Sequence, residues 1–185
     1  MTANTETATP EALVRDTSSR MLVALKQEKD VIEEDQGRLY DLVAEIVLPY
    51  FDFQRMSRLA LGKYWRKATP EQQQRFVEQF RVMLIRTYGN ALAEYSDETI
   101  VYLPVLAEQN AKVVTVRTEI ELAGGMPLQI HYDMFSSSAG WKVYDIAING
   151  VSLVTNYRTT FGSIVRKSGM DALIKQLAAR NGRES

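Results

Sequence analysis

The order of patterns along this chain predicts an α+β fold: a twisted antiparallel sheet of about four strands with helices packed on one side. Three observations carry that expectation. Apolar residues recur at helical spacing up to about residue 95, give way to strand-like alternation from about residue 97, and return to helical spacing after residue 150. Helices and strands in separate runs, rather than in alternation, are the signature of α+β architecture.

The first helix begins at Thr9-Pro10-Glu11, with a hydroxyl cap, proline in the first turn and an early acid. Leu13, Val14, Thr17, Met21 and Leu25 follow at helical spacing. A second helix carries Leu39, Leu42, Val43, Ile46 and Val47 and stops before Pro49, because the residue ahead of a proline resists the α region. Asp52 caps a third, short helix holding Met56, Leu59 and Ala60, with Gly62 at its end. Thr69-Pro70-Glu71-Gln72 fits a capping box and opens a long helix with Phe76, Phe80, Met83, Leu84, Tyr88, Ala91 and Tyr95 along one stripe.

Strands are expected over Thr99 to Leu106, Lys112 to Leu122, Pro127 to Phe135 and Trp141 to Ile148. The short connections Gly124-Gly125 and Ser136 to Gly140 make the last three an antiparallel meander. Two helices close the chain, at about 151–167 and 169–180. With no internal repeat or linker, residues 9–181 are expected to form one domain behind a disordered tail, 1–8.

Composition narrows the function classes. A chain of 185 residues with 45% hydrophobic content can bury a substantial core. The 22 basic and 23 acidic residues leave a net charge of -1, so no basic field exists to hold nucleic acid or an anionic membrane. The absence of cysteine excludes disulfides and thiolate metal sites. No apolar run reaches the roughly 18 residues a membrane span needs. The opening Met1 to Thr9 has no basic or apolar signal-peptide region, so it reads as a cytosolic start or as a mature secreted chain with an added Met.

Alternation sorts the strand residues into faces. Val114, Val116, Thr118, Ile120 and Leu122 share one face of the second strand; Leu128, Ile130, Tyr132 and Met134 share one face of the third; Lys142, Tyr144, Ile146 and Ile148 share one face of the fourth. The resulting apolar face, which helices should cover, is either ordinary core or the wall of a pocket.

Candidates for chemistry are few. His131, the sole histidine, falls on the polar face beside Gln129 and Asp133, and no second imidazole or thiol accompanies it to hold a metal. Ser152 in Gly150-Val151-Ser152-Leu153-Val154 lacks the final glycine of a nucleophile elbow and reads as a helix cap. Gly62-Lys63 has no upstream glycine at phosphate-loop spacing. Asp145 is either a buried general base or a structural carboxylate, hydrogen-bonded or paired with Arg117 or Arg158; Arg158 in turn is structural or meets a phosphate or carboxylate. The aromatics Tyr50-Phe51, Tyr64-Trp65 and Tyr88 are not interleaved with basic residues, so no base-stacking surface is expected.

The run from Trp141 through Val143-Tyr144-Asp145 to Gly150-Val151-Ser152-Leu153-Val154-x-Asn156-Tyr157-Arg158-x-x-Phe161 resembles the MlaC, or toluene-tolerance, family of periplasmic phospholipid carriers. Pro49 to Phe53, Ala60 to Trp65 and Ala68 to Gln72 are similar to the family in order and spacing, and the likeness extends from about Leu13 to Leu177. The resemblance implies helices on one side of a twisted sheet enclosing an apolar cavity for acyl chains, with the head group near the mouth. It implies a monomeric, non-enzymatic carrier without cofactor, its cargo a diacyl phospholipid, moving between an outer-membrane lipoprotein–porin complex and an inner-membrane ABC transporter. It also favours the mature secreted reading of the N-terminus, and so the periplasm. On that reading the lipid-binding residues are Val114, Val116, Ile120, Leu128, Ile130, Tyr132, Met134, Tyr144, Ile146 and Ile148, with Tyr157 and Phe161 from the next helix. The competing class is a small α+β enzyme with a conical pocket, similar to ketosteroid isomerases, which would need Asp145 and a tyrosine inside that pocket.

Overall fold

In the computed structural model, which describes residues 8–183, six helices precede the sheet and two follow it. The expected tail, apart from Ala8, lies outside the described residues. The first group comprises α1 (Pro10–Gln27), α2 (Lys29–Glu34), α3 (Gly37–Ile46), α4 (Phe53–Leu61), α5 (Lys63–Lys67) and α6 (Pro70–Glu94), with a 3₁₀ turn at Leu48–Tyr50. The sheet is β1 (Thr99–Tyr102), β2 (Val113–Glu121), β3 (Leu128–Ser137), β4 (Gly140–Ile148) and β5 (Val151–Ser152). Then come α7 (Leu153–Ser168) and α8 (Met170–Arg183).

The caps form where the side chains provide them. Thr9 accepts the Ala12 N–H at 3.1 Å, and Asp52 accepts that of Arg55 at 2.9 Å. At α6 the box is reciprocal: Gln72 N–H donates to Thr69 Oγ1 and Thr69 N–H donates to Gln72 Oε1, which satisfies two otherwise unpaired donors. Gly62 ends α4 at φ 55°, a conformation open to glycine, and lets α5 start at once in a new direction.

All five strands pair antiparallel in sequence order. The sheet thus has one strand more than expected. The extra strand is the two-residue β5, made by a tight turn at Asn149 (φ 48°) and Gly150 (φ 81°), the left-handed pair a type I′ hairpin requires. It delays the start of α7 to Leu153. The outer edge of β4 is further closed by Phe51, which bridges to Val143 while Asp52 N–H donates to the Val143 carbonyl at 2.9 Å.

A bulge in β4 corrects the face assignment of that strand. Asp133 pairs with Asp145, but Met134 pairs with Val143, so Tyr144 is an extra residue without a partner on β3. Ile146 and Ile148 face inward as expected. Past the bulge the alternation is reversed: Val143 is buried among Val14, Val116 and Met134, and Tyr144 turns outward against Phe135, ring centroids 6.0 Å apart, and under the Arg55 guanidinium.

The buried apolar residues fall into three clusters rather than one. Helices α4 to α8 pack around Phe76, Phe80, Phe161 and Leu173. The sheet closes on α1 through Val14, Val114, Val116, Met134 and Val143. Helices α1 and α3 meet at Met21, Leu25, Leu39, Leu42 and Val43. A domain of this size usually has one contiguous core, and the division marks a space between the three.

Candidate apolar binding cavity

That space is a cavity of about 250 Å³. One water needs roughly 15 Å³, so this is no packing defect. Its floor is the inward face of the sheet: Ile100 from β1, Ile120 from β2, Leu128, Ile130, Tyr132 and Met134 from β3, and Val143, Ile146 and Ile148 from β4. Its walls are α1, from Leu13 to Leu25, the turn and loop carrying Leu48, Tyr50, Phe51 and Phe53, and the C-terminal half of α6 from Leu84 to Tyr95. Leu92, on that last wall, is 38% exposed, so the apolar lining reaches the surface there. Among the described residues, no Asp, Glu, Lys, Arg or His lines the cavity. An ion placed inside would lose its hydration without a charged partner, so the cavity suits hydrocarbon and rejects charge.

Of the residues assigned to the site from sequence, Ile120, Leu128, Ile130, Tyr132, Met134, Ile146 and Ile148 line the cavity. Five others do not. Val114 and Val116 are consumed by packing against α1 and their strand neighbours. Tyr144 is carried to the far face by the bulge. Tyr157 and Phe161 are in the aromatic core of the helices, where Phe161 meets Phe76 and Phe80 at 5.5 and 5.4 Å and stacks on Tyr157 at 5.3 Å. Alternation identifies a face but cannot say which part of that face a helix covers. The helical walls were missed altogether, although Leu13, Val14, Thr17, Met21 and Leu25 are the stripe that defined the first helix; on periodicity alone such a stripe is core.

Burial, with Tyr102 nearby, pushes the pKa of the Tyr132 phenol up to about 12. The Tyr88 hydroxyl lies 3.4 Å from that of Tyr157, whose pKa is raised first by burial and then by this contact. Both phenols stay neutral in the ordinary pH range.

Asp145 is not in the cavity. Its carboxylate accepts the Ile146 N–H at 2.8 Å, the Val154 N–H at 3.1 Å and the Ser152 hydroxyl, and neither Arg117 nor Arg158 pairs with it. It joins β4 to the first turn of α7, and Ser152, as expected, caps that helix through the Thr155 N–H. Arg158 donates to the Leu59 carbonyl at 2.7 Å and ties α7 to α4. His131 sits on the outward face between Arg117 and Ala147. Among the described residues no group of His, Cys, Asp or Glu is arranged to hold a metal, and no helix is long and apolar enough to cross a membrane. A second, open depression of about 520 Å³ lies between α4 and α5, bordered by Arg58, Gly62, Lys63, Trp65 and Arg66. It is basic and superficial and shares no residue with the apolar cavity.

Comparison with known proteins follows this geometry. The family model described as MlaC protein matches residues 15–179. The chain is 32% identical over 164 residues to the toluene tolerance protein ttg2D of Pseudomonas putida, covering 88% of this chain and 76% of that one. It is 26% identical over 179 residues to the intermembrane phospholipid transport system binding protein MlaC of Haemophilus influenzae, covering 95% and 83%. Among solved structures, a phospholipid-binding protein from Ralstonia solanacearum, determined in complex with a phospholipid, superposes with a TM-score of 0.88 at 33% identity over 96% of this chain and 99% of its own.

Proposed function

The chain belongs to the MlaC protein family, and from that premise we propose that it is a phospholipid carrier: it holds the acyl chains of a diacyl phospholipid in the cavity between sheet and helices and moves the lipid through an aqueous compartment. The observation that carries the reading is the charge-free cavity of about 250 Å³ at the junction of three separate apolar clusters. A protein whose interior were only structural would close that space.

Energetics favour a long-lived complex. Burying acyl chain yields about 0.8 kcal/mol per methylene. Two chains of about 16 carbons give a gross gain near 25 kcal/mol, above the practical ceiling for non-covalent binding, so ordering and association costs take a share. What remains keeps lipid out of water, and release then requires a partner that opens the cavity or offers a competing one. We assign those roles to an outer-membrane lipoprotein–porin complex and an inner-membrane ABC transporter, with the carrier working in the periplasm as a monomer. Support comes from the relative named as the binding protein of an intermembrane phospholipid transport system.

The carrier reading is preferred to catalysis because the single candidate base, Asp145, is outside the cavity with its carboxylate occupied by α7. Native mass spectrometry of the protein, expressed in a Gram-negative host and purified without detergent, tests the proposal. A mass increment equal to one or more phospholipids is expected. Protein that emerges lipid-free and takes up no phospholipid from vesicles refutes it.

A further inference from the structure

The near-zero net charge of the chain hides an uneven distribution. Between Asp52 and Glu71 stand five basic residues, Arg55, Arg58, Lys63, Arg66 and Lys67, and no acid. Taking these five from the 22 leaves 17 basic against 23 acidic residues in the rest of the chain. Gly62, at φ 55°, turns this stretch into a corner, and Arg58, Lys63 and Arg66 border the open depression of about 520 Å³ between α4 and α5. Arg158 reaches the same corner from α7: its Cδ and Nε lie 3.6 and 3.8 Å from where a Cβ on Gly62 would be. Among the described residues Arg58, Lys63, Arg66, Lys67 and Arg158 are exposed and form no ion pair, whereas Arg15, Arg20, Lys26 and Arg38 each pair with a carboxylate. Grouped, unpaired like charges repel one another and do not stabilise the fold; an anionic partner relieves that repulsion when it binds.

Shape and surroundings select the partner. A flat bilayer does not enter a recess, and among the described residues α4 and α5 carry no large exposed apolar side chain to anchor in one. Trp65 is only 8% exposed and has no open face on which a base would stack, and the acidic excess of the remaining chain repels an extended polyanion. The volume admits several side chains rather than one small anion. What fits is a short protein segment carrying several carboxylates. The position suits a hand-over of cargo, because α4 presents Phe53 and Met56 to the apolar cavity while its Arg58 borders the recess. On the carrier reading above, we propose that the depression docks an acidic segment of the membrane-bound protein with which the carrier exchanges lipid, seated against the helix that walls the cavity.

The test pairs a fluorescent octaglutamate peptide, as probe, with lipid transfer from loaded protein to vesicles made from the envelope of its host. Wild type should bind the peptide with an affinity that falls as salt rises. The triple variant Arg58→Gln, Lys63→Gln, Arg66→Gln should bind it about tenfold more weakly, the combined worth of three exposed ion pairs. Arg75→Gln, Arg81→Gln, Lys175→Gln, which changes the net charge equally but away from the depression, should bind as wild type does. The first variant should keep the wild-type lipid load, yet pass lipid to envelope vesicles severalfold more slowly, with transfer to protein-free liposomes unchanged. Octaglutamate added to wild type should slow the same transfer, which needs no variant to fold. Equal loss of peptide binding in the two triple variants, or transfer to envelope vesicles that neither the substitutions nor octaglutamate slow, overturns the inference and leaves the carrier reading intact. Binding to phosphatidylglycerol vesicles through the same three residues in preference to the peptide overturns it by making the occupant a bilayer. Displacement of the peptide by inorganic phosphate, beyond that by chloride at equal ionic strength, overturns it by making the occupant a free anion. Failure of the wild type to take up any phospholipid overturns both readings.

Discussion

Val116 and Ile146 both face inward from the sheet, yet they answer to different physics. Val116 has no exposed surface and is packed by Val14, Met134 and Val143. Ile146 keeps one side on the cavity. Ile146→Trp should fold, fill the space and purify with severalfold less lipid. Val116→Trp has nowhere to put the added ring and should cost roughly 1–3 kcal/mol or more through overpacking. Urea midpoints against delipidated wild type, together with lipid content, separate the two. Equal stability and equal lipid loss in both would erase the distinction between packed sheet and cavity floor. Tyr132 gives a second residue-level prediction. Its folded pKa, about 12, lies above the ordinary 10.0, so the native state holds a proton that the unfolded state releases. Stability is therefore complete below pH 10 and falls as pH rises from 10 towards 12, by up to about 1.4 kcal/mol per pH unit for each such tyrosine. Tyr157 acts in the same direction. Tyr132→Phe should flatten this decline in a series of urea midpoints; an unchanged slope places the burial penalty elsewhere. At this scale the sequence was legible wherever alternation ran unbroken, as on β2, where Val114, Val116, Thr118 and Ile120 are all buried. It misled at Tyr144, because no residue in Trp141 to Ile148 announces a bulge that depends on the partner strand.

Among the elements, those that carry their own punctuation were readable. Thr9 and Thr69 each precede a proline in the first turn, and α1 and α6 begin where those residues put them. The missed elements are short: α2 has no side-chain cap, and α5 exists because Gly62 adopts φ 55° and ψ -126°. The fifth strand was legible in principle, since Asn149-Gly150 between two apolar residues is the strongest short-range hairpin signal. Asp145 holds this corner together by joining β4 to the start of α7 through two backbone N–H groups and the Ser152 hydroxyl. Asp145→Ala leaves those donors without their acceptor and should cost about 1–3 kcal/mol or somewhat more, given the charge on the acceptor. Because Asp145 is not on the lining, lipid content under native conditions should stay at the wild-type level. A variant of wild-type stability, or one that folds but loses its lipid, would count against this structural role.

For the whole molecule, the decisive feature is a core in three parts. Phe51 packs against two of the clusters, and α1 and α6 each carry side chains into two, but residues of all three also border the cavity, so part of their apolar surface is covered only when something apolar fills it. Family resemblance pointed to such a cavity; composition could not, because a hollow interior and a solid one use the same residues. Cargo is then part of the fold's stability. A ligand that binds only the native state stabilises it by mass action, by about 2.7 kcal/mol at a free concentration one hundred times its dissociation constant. Loaded protein should melt well above delipidated protein. The size of the rise should follow acyl chain length, because methylenes supply the binding energy, and should hardly depend on the head group, because among the described residues no charged side chain lines the cavity. Reloading delipidated protein with phosphatidylcholine, phosphatidylethanolamine and phosphatidylglycerol of identical chains should give affinities within about tenfold of one another, a spread of ~1.4 kcal/mol. Shortening both chains by four carbons should weaken binding by far more than that. Strong selection of one head group at fixed chain length would require a charged contact that this lining lacks, and would move the recognition site from the cavity to the surface around Leu92 or to a partner.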